Sequence, residues 1–332
     1  MALISPAVML DHVGRHGRLY MSLGALIGLL LPPLASLAAP LLLPALLVTT
    51  VVALVRVDWR MLRGYAARPR LLLPMLLGSL LLSPLLVAAM LHGLALPDSL
   101  RAAMVLVAAS APIFANAAFA LILGLDAALA TVICVAATAL VPFTMPPLAL
   151  ALLGVSLNID ALALGLRLGG VVGGAFFIAW VIRRWTAPQT LQRHAHALDG
   201  SAVLAALLFV LAIMDGMTAL AIEQPVFVLT VTVAALLFNL LLQALGLLLA
   251  WPFGARIAVT TAMIFGNCNM GLVLVALGSQ ADAQMQAFFA FGQLPMYILP
   301  AVMLPLYRWI VAAADGRSAS KNSDKNSAGS QA

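Results

Sequence analysis

Charge is what this sequence has least of. Only 8% of its 332 residues are Asp, Glu, Lys or Arg, against about a quarter in a soluble globular domain. That excludes an ordinary water-facing surface. Cysteine is nearly absent too: Cys134 and Cys268 each sit in an apolar segment, far apart in sequence, which excludes a disulfide framework and argues against a thiol metal centre. The histidines have no ligand partners at metal spacing: His194 and His196 lie in a basic loop, and His12 and His16 near the N-terminus. No nucleophile–base pair, zinc motif or phosphate loop occurs, so the expectation is a protein that is not an enzyme and carries no cofactor. The net charge of +6 comes from residues in short loops between apolar runs, a distribution suited to setting membrane topology and not to binding nucleic acid.

What is abundant is hydrocarbon. Hydrophobic residues make up 64% of the chain and the mean hydropathy is +1.12. Ten apolar segments approach membrane-spanning length, at 19–38, 40–56, 71–94, 100–124, 127–153, 159–183, 201–221, 225–251, 256–279 and 284–312. The first two are separated by a turn at Pro40. The chain after Asp315 is polar and of low complexity, which reads as disorder. The expected organisation is an N-terminal cytoplasmic segment (1–18), a first set of five helices (19–153), a second set (154–313) and a disordered polar cytoplasmic tail (314–332).

The charges test the count. With ten spans and both termini inside, all but two of the 17 Lys and Arg fall on the inner face, the exceptions being Arg101 and Arg167. That bias is the one the positive-inside rule predicts. The expected location is the cell inner (plasma) membrane, as a multi-pass protein with cytoplasmic termini. Arg15 and Arg18, followed by a leucine-rich run and small residues at 35–39, also fit a signal peptide, which would leave nine spans.

Polar side chains at membrane depth are few and therefore informative. Gly266-Asn267-Cys268-Asn269-Met270-Gly271 interrupts the ninth segment. The two asparagines bring amides to a depth where lipid has no partner for them, and the glycines let the backbone open, a combination that survives only against protein or a water-filled cavity. Pro112, with Asn116 beyond it, breaks or kinks the fourth segment. If ten spans are two sets of five, the fourth and ninth are equivalent, and matched interruptions point to a transporter's midplane site. Asn239 and Gln243 share a face of the eighth segment and either line a cavity or bond a neighbouring helix. Gln293 lies at a second kink between Gly292 and Pro295. Gly165, Gly169 and Gly173 form a small-residue stripe that reads as close helix packing. Asp98, Asp126, Asp160 and Asp199 each precede an apolar run and read as helix N-caps.

At these residues the chain resembles the bile acid:sodium symporter family, within a wider group that includes arsenite efflux permeases. The likeness spans residues 20–312. It rests on SAPIFANAAFALILGLDAALATVICVAATALVPFTMPPL (110–148), similar to the family's broken fourth helix and proline-ended fifth, and on IFGNCNMGLVLVAL (264–277), similar to its ninth-helix pattern. VDWRMLRGYAARPRLLLP (57–74) is similar to its basic loop before the third helix. The resemblance implies an all-α polytopic membrane protein. Its ten transmembrane helices would form two inverted five-helix repeats, with broken fourth and ninth helices crossing at the site. It also implies departures. The family's ninth-helix carboxylate falls on Ile264 and its glutamine on Cys268, while Asn269 is kept. Ile113 and Phe114 replace a glycine pair, Asn116 alone remains of a serine–asparagine pair, and fifth-helix hydroxyls fall on Ala130 and Cys134. Alkyl and thiol groups are poor ligands for a hard cation.

The expected function is a secondary transporter moving a small organic anion by alternating access, with doubtful sodium coupling and sodium or a proton as the candidate ion. Asn116, Asn267, Cys268, Asn269, Asn239, Gln243 and Gln293 are the expected substrate-binding residues. Pro112, Gly266 and Gly271 permit the breaks, and any weak sodium site would lie near Asn116 and Asn269. The rival readings are an uncoupled facilitator or channel on the same scaffold, and a membrane sensor or partner protein that does not transport.

Overall fold

The computed structural model describes residue 24 and residues 27–154 and 160–314. The expected segment 1–18, residues 19–23, 25 and 26 of the first span, and the tail beyond 314 lie outside the described residues. Among the described residues the chain is all-helical, and its one pairing of extended backbone is an isolated bridge.

Among the described residues, seven helices are long and apolar enough to cross a membrane. We label the helices in chain order: α1 Pro32–Arg56, α2 Trp59–Ala66, α3 Pro69–Leu91, α4 Asp98–Ala108, α5 Ala115–Leu123, α6 Ala127–Leu153, α7 Ala161–Trp185, α8 Ala195–Ile213, α9 Pro225–Phe253, α10 Ala255–Gly266, α11 Met270–Leu277, α12 Ala283–Val302 and α13 Leu304–Ala314. The pairs α4–α5 and α10–α11 each make one further traverse in two pieces. Pro32, Pro69 and Pro225 open their helices at the first turn, where the missing N–H costs nothing. The seven long helices are apolar on nearly every side, as lipid-embedded helices are.

Side-chain bonds fix which ends lie together. At one end Arg56 pairs with Asp199 at 2.8 Å, the Tyr65 hydroxyl donates to Asp126 at 2.8 Å, and Arg256 donates to the Gly124 carbonyl at 2.6 Å. At the other, Ser36 donates to Asp215 at 2.6 Å, Ser99 donates to Asp282, and Arg167 donates to the Leu277 carbonyl at 2.8 Å. Successive long helices and broken helix pairs therefore alternate in direction among the described residues. Arg56, Arg183 and Arg256 share one end, while Arg101 and Arg167 share the other.

Several local expectations are corrected. Pro40 makes no turn between spans: it sits in a 3-10 step, Ala39–Leu41, within the continuous 25-residue α1. Ala38 and Leu42 on either side keep right-handed helical angles, so the proline costs one backbone bond without ending the helix. The break comes earlier, at Leu31 (φ −124°, ψ 72°). The basic loop of 57–74 contains a helix, α2, capped by the Asp58 carboxylate on the Arg60 and Met61 amides. Span seven stops at Ile213, because Gly216 turns left-handed (φ +75°) before a short separate helix, Met217–Glu223. Asp126 and Asp160 cap α6 and α7 as expected. Asp98 instead sits in the first turn of α4, 3.4 Å from Arg101, and Asp199 lies inside α8, bound to Arg56.

The glycine stripe is also corrected. Only Gly165 approaches a neighbour, Pro146 of α6, whereas Gly169 and Gly173 face open space. The close packing is elsewhere, between α9 and α10. A Cβ on Gly246 would come within 2.7 Å of the Thr261 carbonyl oxygen and 3.0 Å of the Ala262 Cα. Small residues let membrane helices approach backbone to backbone in this way. Helix α7 is peripheral, with 22% of its apolar window buried, against 67% for α12.

Two outcomes follow from these contacts. Gly246→Ala should lower the melting temperature in detergent by several degrees, because backbone cannot yield as a side-chain tip can. Gly169→Ala should leave it unchanged or slightly raised, since alanine is the better helix former. Burial, followed by the bond to Asp126, pushes the Tyr65 phenol up to about 12. The folded state thus keeps a proton that the unfolded chain gives up near pH 10. The Tyr65 contribution is fully present below pH 10 and is lost between pH 10 and 12. Wild-type stability should therefore fall more steeply over that interval than that of Tyr65→Phe, as measured by thermal melts along a pH series.

Candidate functional site

The two interrupted traverses meet at their breaks. Pro112 cannot donate a backbone hydrogen bond, and the chain leaves helical geometry after Ala108 and regains it at Ala115. Helix α10 ends at Gly266 and α11 starts at Met270. In the gaps the two extended strips run antiparallel, with Pro112 opposite Cys268. The Ile113 amide donates to the Asn267 carbonyl at 2.9 Å, and the Asn269 amide donates to the Ala111 carbonyl at 2.8 Å. Each break thus supplies the partners that the other lacks, as backbone at membrane depth requires.

Asparagine side chains complete the crossing. Asn116 Nδ2 donates to the Asn267 carbonyl at 3.3 Å, and Asn267 Nδ2 donates to Asn116 Oδ1 at 2.9 Å. Both residues are wholly buried. Asn269 accepts from the Leu272 amide at 3.0 Å and caps α11. The two thiols flank the strips: Cys134 Sγ lies 3.2 Å from the Ile113 carbonyl oxygen, and Cys268 Sγ lies 3.2 Å from that of Phe265.

Behind the crossing runs a chain of polar groups. The Tyr307 hydroxyl donates to Gln243 Oε1, Gln243 Nε2 donates to Asn239 Oδ1 at 2.6 Å, and Asn239 Nδ2 donates to the Gly266 carbonyl at 2.7 Å. It ends on a carbonyl freed by the termination of α10. A Cβ on Gly266 would stand 2.6 Å from Asn239 Oδ1, so the glycine is needed for approach. Gly271 is needed likewise, its absent Cβ facing the Phe209 ring at 2.4 Å. Tyr307 was not anticipated from sequence; a tyrosine near the end of a span reads first as an interfacial anchor.

In front of the crossing is a cavity of about 90 Å³, small beside the roughly 300 Å³ at which ligand pockets begin. Of the expected residues, Asn269, Gln293 and Gly271 border it, together with the Ile113–Ala115 strip. Asn116, Asn267, Cys268, Asn239 and Gln243 do not. Thr49 and Thr50 of α1, Phe209 of α8 and Tyr297 of α12 close it; both threonine hydroxyls donate back to the Leu46 carbonyl at 2.8 Å. Gln293 Nε2 donates to the Phe289 carbonyl at 3.2 Å, and its Oε1 has no partner among the described residues. Asn267 Oδ1 and Thr138 Oγ1 likewise lack one. Among the described residues no Asp, Glu, His, Lys or Arg borders the cavity.

Residues 43–224 match the family model described as the sodium bile acid symporter family. That is more than half of the chain. The protein belongs to the sodium bile acid symporter family. No curated protein matches the sequence. The matched region contains the first broken helix and ends before the second, so in this symporter-family protein the α10–α11 break is tied to the family segment by its contacts with 111–116. Membership and the apolar helices make it a multi-pass membrane protein of transporter type.

The polar chain behind the crossing yields a test. Asn239→Leu leaves the Gly266 carbonyl buried without a donor, which costs roughly 1–3 kcal/mol. Tyr307→Phe removes only the far end of the chain. The melting temperature should fall clearly in the first variant and by less than half as much in the second; equal falls would mean that the chain is not anchored at Gly266.

Proposed function

We propose that this protein is a secondary transporter that moves a small organic anion across the inner membrane by alternating access, with both termini cytoplasmic. The observation that carries the reading is the crossing of two broken helices beside a cavity closed on its other side by α1 and α8. The arginine-rich end is assigned to the cytoplasm by the positive-inside rule. Residues 19–153 and 154–313 are assigned as the two five-helix halves, inverted with respect to each other, so that the fourth and ninth helices are counterparts.

The cavity has no cationic side chain for an anion. The charge complement comes from the N-terminal ends of α5 and α11, whose backbone amides carry partial positive charge. Asn269 and Gln293 are assigned to the substrate directly. Asn116 and Asn267 hold the two breaks in register, and Asn239 and Gln243 brace α10. Cys268 contributes its small volume and its backbone to the bridge.

A sodium site of the kind the family resemblance implies does not suit these residues. Ile264, Ala130 and Cys134 offer alkyl and thiol groups where a hard cation needs oxygen. Asn116 Oδ1 and Asn269 Oδ1 are already engaged as acceptors. The same observation favours one alternative, an uncoupled facilitator on this scaffold. A proton-coupled carrier is the other outcome of the experiment below.

Uptake of a panel of labelled organic acids into proteoliposomes should proceed equally with inward sodium and inward potassium gradients. A response to an imposed pH gradient would assign proton coupling, and downhill flux alone would assign the facilitator. Asn269→Ala should lower uptake roughly tenfold, the effect of losing about one buried hydrogen-bonding group. Sodium-driven accumulation above equilibrium would overturn the uncoupled assignment and point to Asn267 Oδ1 and Thr138 Oγ1 as unassigned ligands. No uptake of any acid by folded protein would overturn the organic-anion reading.

A further inference from the structure

A second, larger concavity lies away from the crossing, at the arginine-rich end. It has a volume of about 620 Å³, within the roughly 300–1,000 Å³ of ligand pockets. The last turns of α1 and α7 and the start of α2 form it. Its walls are aromatic, from Trp59, Phe176, Phe177 and Trp180, and its rim carries Arg183 and Arg184. Phe177 and Trp180 stack with ring centroids 6.0 Å apart, and both stay more than half exposed. No acidic residue lines it.

The two arginines are placed differently. Arg183 reaches across to the break between α1 and α2, where Nη1 donates to the Val55 carbonyl and, at 3.0 Å, to that of Val57. Its guanidinium carbon stands 6.0 Å from the Trp59 ring centroid. Its Nε and Nη2 have no hydrogen-bond partner among the described residues. Arg184 is exposed and has no hydrogen-bond or ion-pair partner among the described residues. The nearby acids are committed: Asp199 to Arg56, and Asp58 to the amides of Arg60 and Met61. The groove is therefore a net positive rim above an exposed aromatic trough.

We propose that this groove is a binding site for an anionic glycerophospholipid. The phosphate sits against Arg184 and the free edge of Arg183, and an acyl chain lies along Phe177 and Trp180. Guanidinium forks suit phosphate oxygens, tryptophans favour the headgroup level, and basic clusters at the end of a span select anionic lipid. The bound lipid covers the peripheral α7 and ties it to α1 through the Arg183 contacts. This site stands whether or not the transport reading does.

The test uses the full-length protein, delipidated in detergent and titrated with phosphatidylglycerol, phosphatidylcholine or inorganic phosphate. Melting temperature and retained adducts in native mass spectra are read for each. Phosphatidylglycerol alone should raise the melting temperature and leave adducts. Arg184→Gln should weaken its binding about fivefold, the contribution of one basic residue at an anionic membrane surface. Arg308→Gln, a substitution outside the groove, should leave it unchanged. Because Arg184 holds no internal contact, its variant keeps the melting temperature of the lipid-free protein. Equal shifts with both lipids, or an undiminished shift in Arg184→Gln, overturn the proposal. A shift reproduced by inorganic phosphate assigns the arginines to a free anion and overturns the lipid as occupant.

Discussion

Everything in this fold hangs on a shortage of hydrogen-bond partners. A helix in hydrocarbon satisfies its own backbone; a broken helix cannot. Two breaks at the same depth solve the problem for each other, through Ile113 to Asn267 and Asn269 to Ala111. The side chains of Asn116 and Asn267 then take up the groups that two strand-like bonds leave over. Remove one break and the other is left with orphaned donors and acceptors in the interior. The paired interruptions are thus one structural unit, although 151 residues separate its two asparagines.

Around that unit, polarity is rationed by position. The chain from Tyr307 through Gln243 and Asn239 to Gly266 brings a donor to the end of α10 without admitting water. The cavity side stays sparsely polar, with Asn269 and Gln293 as its amides and no charge. Amides at membrane depth therefore do two kinds of work here, bracing and lining, and only geometry distinguishes them.

That division explains what the sequence made legible. Composition and apolar run lengths gave the membrane class, and the limits of α6 coincide with the expected span at 127–153. Pro112, Asn267 and Asn269 stood out because polar or helix-breaking residues are costly in hydrocarbon, whatever their partners. Their partners did not stand out. Asn239 pointing at Gly266 rather than into a cavity depends on the rotation of α9, which a uniformly apolar helix does not encode. Gly169 and Gly173 misled for a related reason: a small residue permits close packing but does not summon a neighbour, and Gly246, outside any stripe, is where the helices touch. Pro40 misled because a local 3-10 step absorbs the proline and the helix continues past it.

The reciprocal bonds at Pro112 and Cys268 carry a mechanical meaning as well. Two rods fastened at mid-length to each other cannot slide independently; either both half-helix pairs shift as one body or the fastening opens and strands its polar groups in oil. The cheaper displacement lies along the seam where Thr49, Thr50 and Phe209 face the crossing across the cavity, since little hydrogen bonding spans that gap. On the alternating-access reading proposed above, the knot is the pivot and the seam is where the two sides part.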